Sequence, residues 1–523
     1  MINPQPSEEL LKTIYQEQYG LDNRPETEMK HVSELRRATA RSYLGLIKEY
    51  GATEGDSLLE IGFGCGDFLV EAEMAGYNVT GVEYSASCCE VAKKKLSHEA
   101  QLICGTIESL SDASNYFDVC VLSDVIEHIR DPGDLLRQVH AVLKPDGIIL
   151  IATPTTESVS AKWMRSQWVG FKEEHLFYFK ASNLESLLFH GGFDSVVALP
   201  GKKTVSIKYI TEHLRRFPRR LITSAGNWLE GILPERLLDK PFQAVASGII
   251  VLARARKPFP VRRKLSLIVP AFNEARTFKP AVEKILAKEI DDLEMETVIV
   301  ESNSTDGTRE LVLNYQDDPR VKLVLEECPR GKGFAVRNGL RHATGDFVMI
   351  QDADLEYDLE DYESLLEPLI SGKKAFVLGA RHGGNKWKMR SFKGRYWTTL
   401  LYNAGHWLFV GFFDLLYWVR LKDPTTMYKV FRRDCLYGLE FECNRFDFDW
   451  ELVTKLIRKG HLPSEIPVNY RSRTMDEGKK VDTLRDPWTW FKAIIRNRFV
   501  RIDPLRQISK IAEREKLDDG TGG

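Results

Sequence analysis

At 523 residues the chain is too long for one hydrophobic core and suits two domains of roughly 250 residues each. A hydrophobic share of 43% beside 28% charged residues excludes a disordered chain, and a formal net charge of −2 gives no electrostatic footprint for nucleic acid. The eight cysteines form no Cys-x-x-Cys pair, so they read as free thiols in a reducing compartment rather than as a zinc site. The N-terminus, MINPQPSEELLKT, is too polar for a signal peptide, which places the chain in the cytoplasm.

Residues 1–57 predict a helical preamble, in which LRRATARSYLGLIKEYG has helical apolar spacing and stops at Gly51. Strands and helices then alternate. SLLEIGF, NVTGVEYS, QLICGTI, FDVCVLS and IILIATP read as strands, with DFLVEAEMAG, SCCEVAKKKLS and DLLRQVHAVLK as helices between them. Such repetition predicts a parallel sheet covered by helices on both faces, closed by GIIVLARAR at 248–256. Lys202–Lys240 reads as basic and irregular.

Gly62, Gly64 and Gly66 follow the first strand, where glycines let the backbone turn tightly beside a ligand at a helix N-terminus. Glu60 precedes them and suits the ammonium of an amino-acid-bearing nucleoside better than a pyrophosphate. Glu83 ends the second strand, where a carboxylate accepts two ribose hydroxyls. With FDVCVLSDVIEHIRDP and LLRQVHAVLKPDGIILIATP in order behind them, this half resembles the class I S-adenosylmethionine-dependent methyltransferases over residues 35–255. The resemblance implies a Rossmann-like fold and a cofactor site at Glu60, Gly62, Gly64, Gly66, Glu83, Tyr84, Ile107 and Ser123. His128, His175 and Glu174 are candidate bases for the methyl acceptor. His128 also reads as a helix-start histidine packed under the cofactor, and His175 as an ordered lid or core histidine. Trp163, Trp168 and Phe171 read either as the floor for a sugar ring or as plain core.

The proline- and base-rich RKPFPVRRK at 256–264 reads as a linker, dividing the chain into domains 1–255 and 265–523. Beyond it KLSLIVPAFN, TVIVESNS, VKLVLEE and DFVMIQDAD read as strands, separated by helices up to Lys288, from Thr308 and through RGKGFAVRNGLRHATG. Asp352 and Asp354 end the last of these, and strand alternation turns both to one side, where they can meet one Mg2+ or Mn2+ ion; Glu356 continues the pattern. PAFNE, VESNSTDGT, LGARHGG, DPTTMYKVFRRD, FDFDWELVTKLIRKG and RSRTMDEGKKV complete a set that resembles family 2 glycosyltransferases of the GT-A fold. Within these it is similar to the dolichyl- or polyprenyl-phosphate mannose synthases, over residues 265–500.

That resemblance implies that Pro270, Glu274, Glu301 and Asp306 hold the base and ribose of a nucleotide sugar, with Lys332 near its phosphates. Asp352, Asp354 and Glu356 would hold the metal, and Arg381, Arg473 and Lys479 would clamp the donor diphosphate or an acceptor phosphate. Glu301 stands where the family usually has aspartate, and Met427 where the synthases often carry glycine. A lipid phosphate acceptor needs no base. A sugar hydroxyl does, and Asp449 is the candidate, with Asp447 and Glu451 behind it; the same three acids also read as a cluster ordering the acceptor loop.

Leu400–Val419 is apolar, but Asn403, His406 and Asp414 interrupt it, which predicts a buried or surface-lying helix pair rather than a span. Trp488, Phe491, Ile495, Phe499 and Ile502 make a helical stripe among basic residues, suited either to the domain's own core or to peripheral contact with a cytoplasmic membrane face. The expectation is a bifunctional enzyme of glycan or glycolipid synthesis: a nucleotide-sugar donor, a polyprenyl-phosphate or glycan acceptor, methylation of a glycan hydroxyl, and no nucleic acid partner. The alternative is one active domain beside a regulatory or recruiting binding module.

Overall fold

The computed structural model describes Pro6 and residues 26–110, 113–168, 170–172, 174–216, 232–256, 263–354, 356–381, 396–471, 485–500 and 502. The chain divides into two compact units, one within residues 1–258 and one within 259–507.

The first unit is a seven-stranded sheet of β1 (Ser57–Ile61), β2 (Asn78–Glu83), β3 (Gln101–Cys104), β4 (Phe117–Ser123), β5 (Leu143–Pro154), β6 (Phe193–Val205) and β7 (Phe242–Ala255). Their order across the sheet is β3-β2-β1-β4-β5-β7-β6. Strands β1 to β5 pair in parallel, and the central β1 and β4 are buried along nearly their whole length because helices cover both faces. The core gathers Leu59, Leu122, Ile149 and Val251 from the sheet with Leu136, Val139 and Leu188 from the helices. One expectation needs correcting. The closing strand is longer than 248–256 and is antiparallel to both β5 and β6, between which it lies. An antiparallel return needs no crossover helix, so the strand–helix alternation that marks the parallel part carries no signal for it. Part of the supposedly irregular Lys202–Lys240 is regular: β6 runs to Val205 and a helix spans Ile207–Arg216.

The preamble is a helix over Glu26–Glu49. It is tied to the helix Asp67–Met74 by Arg37 and Arg41, 2.6 and 2.9 Å from Oε1 of Glu71.

The second unit is another seven-stranded sheet: β8 (Arg263–Ala271), β9 (Leu293–Glu301), β10 (Val321–Leu325), β11 (Phe347–Ile350), β12 (Phe376–Ala380), β13 (Lys429–Arg432) and β14 (Ser464–Pro467). The order is β10-β9-β8-β11-β13-β12-β14, with β13 antiparallel to both neighbours. Arg263 and Lys264 belong to β8 rather than to the linker, whose residues 257–262 lie outside the described residues. The 400–419 region is one helix, Tyr396–Tyr417, not a pair. Among the described residues no helix is long and apolar enough to cross a membrane. Val410, Phe413 and Tyr417 enter the core, while Leu408, Leu415 and the following Trp418 stay in solvent. The helix Arg485–Phe499 lies against it, with the Tyr417 hydroxyl donating to the Ile494 carbonyl at 2.6 Å. Its buried face is Ala493, Ile494 and Asn497, so the Trp488–Phe499 stripe is not the core face: Trp488 and Phe499 remain exposed.

Candidate functional sites

In the first unit the three glycines after β1 have φ of 73°, 54° and 80°, a left-handed region that L side chains rarely adopt. A Cβ on Gly62 would lie 2.5 Å from Val125 Cγ2, whereas one on Gly64 would meet nothing within 4 Å, so the backbone at Gly64 borders open space. Glu83 braces the loop from the end of β2: its Oε2 accepts from Gly64 N–H and its Oε1 from Ser85 N–H, both at 2.8 Å. Tyr84 beside it is exposed, Ile107 is buried, and Ser123 ends β4 half-buried.

Glu60 stands in β1, buried, with Oε2 lacking any hydrogen-bond partner. Burial, followed by the charges of Asp67 and Glu83, holds its carboxyl well above the usual carboxylate range. A bare buried carboxylate oxygen is costly, about 1–3 kcal/mol, unless a cation or a proton arrives. The glycine loop, Glu83 and this oxygen therefore fit an amino-acid-bearing nucleoside, with a cationic group at Glu60.

Beyond Ser123 the structure joins residues that no sequence spacing connected. Asp124, at φ 53°, pairs with Lys203 of β6 at 2.6 Å. Burial alone would raise the Asp124 carboxyl, but the Lys203 ammonium outweighs it and the net direction is down. His128 and His175 come together with ring centroids 4.8 Å apart and edge to face. Nδ1 of His128 lies 3.0 Å from the Glu174 carbonyl, and Nδ1 of His175 lies 3.1 Å from that of Gly170. His175 is buried; burial, then His128 and Lys172, push its imidazole down to about 3, so it stays neutral. Trp168 is core, with Nε1 donating to Ser160 at 3.2 Å, while Trp163 and Phe171 are exposed. The IEH turn that supplies His128 also supplies Glu127, which the sequence reading passed over although it adjoins His128.

In the second unit the strand carrying the paired aspartates ends at Ile350, so Asp352 and Asp354 sit on the loop beyond it and strand geometry does not align them. Alternation survives in burial: Gln351 and Ala353 are buried, and Asp352 and Asp354 are half-buried between and beyond them. Nζ of Lys332, at the start of the helix Lys332–His342, contacts Asp352 Oδ1 and lies 3.2 Å from Met427 Sδ. Glu356 accepts from the Tyr470 hydroxyl at 2.9 Å. The two aspartates are hard oxygen donors of the kind a divalent cation takes, while the Glu356 carboxylate is engaged by Tyr470.

Other acids expected to contact the nucleotide are bonded within and between the loops. Glu301 is fully buried; its Oε1 accepts from Ser304 N–H at 2.7 Å and its Oε2 lies 2.7 Å from Arg309 Nε. Asp306 accepts from Ala275 N–H at 3.0 Å and Thr308 N–H at 3.1 Å, and Glu274 accepts from the Thr277 hydroxyl at 3.0 Å. Pro270 occupies the penultimate place in β8. The assignment of Arg381 to a diphosphate clamp needs correcting. Its guanidinium is buried and doubly bonded to Asp423, Nε to Oδ2 at 2.7 Å and Nη2 to Oδ1 at 2.8 Å. Arg473 and Lys479 lie outside the described residues.

Asp449 opens the helix Phe448–Arg458 with its Oδ1 2.8 Å from the Nζ of Lys429, a fully buried lysine whose ammonium burial pushes down against the pull of that carboxylate. Lys429 also reaches the Thr426 carbonyl, one residue from the Met427 that touches Lys332, so Asp449 connects to the aspartate pair through a short run of contacts. Its companions are loop-ordering residues: Glu451 accepts from the N–H groups of Glu442 and Cys443 and pairs with Lys455 at 2.6 Å, and Asp447 accepts from Arg445 N–H at 3.0 Å.

Residues 33–198 match the family model described as a methyltransferase domain, and residues 266–427 that of glycosyl transferase family 2. Two Trichomonas vaginalis proteins are similar to the second half. Dolichyl-phosphate beta-glucosyltransferase ALG5A is 30% identical over 223 residues, 39% of this chain and 65% of that protein. ALG5C is 27% identical over 225 residues, 39% and 63%. The glycosyltransferase AglJ of Haloferax volcanii is 24% identical over 43% of this chain and 69% of its own length. The chain thus spans just under two thirds of the length of the two Trichomonas relatives. Among solved structures, a SAM-dependent methyltransferase from Archaeoglobus fulgidus is 19% identical, with a TM-score of 0.31 over 46% of this chain and 99% of that one. The glycine loop and carboxylates of the first unit lie inside one matched segment, and the paired aspartates of the second inside the other: this chain carries a methyltransferase domain of class I fold followed by a family 2 glycosyltransferase domain.

Proposed function

We propose that the chain is a bifunctional enzyme of glycan or glycolipid synthesis. Its second unit transfers a sugar from a nucleotide sugar to a polyprenyl phosphate or glycan, and its first moves a methyl group from S-adenosylmethionine to a hydroxyl of the glycan or a related molecule. The observation that carries this reading is the presence, on one chain, of two strand-end sites whose acidic residues are all in place: Glu60 and Glu83 in one, Asp352 and Asp354 in the other.

In the first unit, bound S-adenosylmethionine supplies an electrophilic methyl group. Glu60 receives its ammonium, Glu83 its ribose hydroxyls, and the open backbone at Gly64 its amino-acid arm. Methyl transfer to an oriented acceptor draws mainly on positioning. In the second unit, Asp352 and Asp354, with Glu356 beside them, hold Mg2+ or Mn2+, which supplies charge neutralisation at the donor diphosphate. Lys332 serves the phosphates from the other side, and the direct displacement inverts the anomeric carbon. A phosphate acceptor is already anionic and needs no base; for a hydroxyl acceptor Asp449, held beside Lys429, takes the proton.

The solvent-facing Leu408, Leu415, Trp418, Trp488 and Phe499, with Lys492 5.2 Å over the Trp488 ring, support peripheral contact with the cytoplasmic face of a membrane, where a polyprenyl phosphate resides.

Thermal stabilisation of the whole protein by nucleotide sugars with Mn2+, and separately by S-adenosylhomocysteine, tests both sites. The expected result is a shift from one nucleotide sugar that Asp354→Ala abolishes and Gly64→Arg leaves intact, and the converse for S-adenosylhomocysteine. Binding at both sites with no turnover on any lipid phosphate or glycan acceptor would instead make one unit a regulatory or recruiting module.

A further inference from the structure

The IEH turn after β4 and the segment around His175 bring three ligand-type side chains to one place. One ligand atom each from Glu127, His128 and His175 can be chosen so that all three lie within 4.8 Å of one another. Each histidine has Nδ1 within hydrogen-bond distance of a backbone carbonyl, which fixes its ring, as in metal-binding histidines held by a carbonyl or carboxylate. Glu127 is fully buried; Oε2 accepts from the Thr153 hydroxyl at 2.8 Å, and Oε1 is buried with no hydrogen-bond partner. Its backbone carbonyl accepts from the N–H groups of Leu176 and Phe177, which ties the IEH turn to the His175 segment and sets the spacing of the three ligands.

We propose that Glu127, His128 and His175 form a binding site for a divalent transition-metal ion in the methyltransferase unit, distinct from the paired aspartates of the other unit. Two imidazoles and one carboxylate suit Zn2+, Co2+ or Fe2+ and leave coordination positions open. Half-buried His128 gives the ion its route in from solvent. Ion binding takes the unpartnered Glu127 oxygen as a ligand and releases the carboxyl proton if one is present. On the proposed methyl-transfer reading, and resting on it, the site sits four residues past the end of β4. An acceptor hydroxyl bound there loses its proton more readily, and the two histidines act as ligands rather than as bases.

The experiment is metal titration of the chelator-stripped full chain with Zn2+, and with Co2+ to read visible ligand-field bands. The set is wild type, Asp354→Ala, Glu127→Gln and His175→Gln. One Zn2+ per chain that survives Asp354→Ala and weakens at least about tenfold, or 1.4 kcal/mol, in both Glu127→Gln and His175→Gln is the expected result. Co2+ bands should disappear in the same two variants. Equal Zn2+ binding in wild type and both site variants, or no bound ion in wild type at micromolar free Zn2+, overturns the proposal. S-adenosylhomocysteine binding checks folding. If His175→Gln loses it, Glu127→Gln, which keeps an oxygen for Thr153, decides alone. Failure of wild type to bind S-adenosylhomocysteine would sink the methyl-transfer reading while leaving the ion count as its own answer.

Discussion

The two units place their sites at the same edge of similar sheets, beyond the carboxyl ends of β1, β2 and β4 in one and of β8, β9 and β11 in the other, yet they treat charge in opposite ways. The first leaves a carboxylate oxygen of Glu60 buried and bare in β1, just before the glycine loop. The second pairs its charges within the protein: Glu301 with Arg309, Lys332 with Asp352, Arg381 with Asp423, Lys429 with Asp449. A bare buried carboxylate is tolerated where a ligand brings the cation. A site for a polyanionic donor and its metal needs both signs, and these neutralise one another through a network that also holds the loops.

The sharpest way to break this contrast is Asp423→Ala. It strands the buried Arg381 guanidinium and should cost about 3–5 kcal/mol, because removing one member of a buried pair leaves an uncompensated charge. Denaturant unfolding should show the second unit's transition moving to low denaturant while S-adenosylhomocysteine binding is retained; a stability within experimental error of wild type would mean that the pair is not structural. Glu60→Gln tests the other side. Affinity for S-adenosylhomocysteine should fall by about 1.5–3 kcal/mol, the worth of a charge-assisted hydrogen bond. The folded-state carboxyl of Glu60 is raised, so the stability it contributes is present below the unfolded value and fades as pH rises through the folded one. Calorimetry of the Gln variant should lose that component of the alkaline decline.

Glu296 provides a smaller, opposite pH effect. Burial works to raise its carboxyl, but the Ser266 hydroxyl, the Thr344 N–H and Lys264 outweigh it and hold it at about 2. Its contribution is present above the unfolded value near 4.5 and is lost as pH falls towards 2. Glu296→Gln should therefore cost on the order of 2 kcal/mol at neutral pH and flatten acid unfolding between those values; an unchanged acid limb would refute the assignment. Smallest in stability is Trp418→Ser, at a side chain 89% exposed: a change within about 0.5 kcal/mol. Its effect should appear only in co-sedimentation with anionic vesicles, which should fall. Undiminished pelleting would remove this face from the membrane.

The parallel cores were legible in the sequence because apolar runs broken by glycine and charged helices carry a local period, and because Gly62–Gly66 and the paired aspartates each fall just beyond a strand. What escaped was non-local. The antiparallel β7 is as apolar as β5 beside it and β13 is only the short run Lys429–Arg432, so their partners alone define their direction. Asp124 meets Lys203, and Arg381 meets Asp423, across 79 and 42 residues, distances over which no motif fixes a pairing. Arg381 shows the cost: an arginine after a strand in a phosphate-binding enzyme invites a clamp, and only the fold reveals that its fork is already filled. His128 and His175 stand out by residue type, whereas no local signal separates Glu127 from a solvated acid at a helix start or brings His175 to it from so far along the chain.

The strand synthesised last in the first unit is an interior one. Until Phe242–Ala255 has emerged from the ribosome, β5 is the rim of a five-stranded sheet and β6 has no strand to pair with. The unit therefore commits to its native sheet only when the ribosome is already translating the second unit. A nascent chain halted before residue 242 presents two unpaired apolar edges to chaperones, where one halted after residue 255 presents none between these strands.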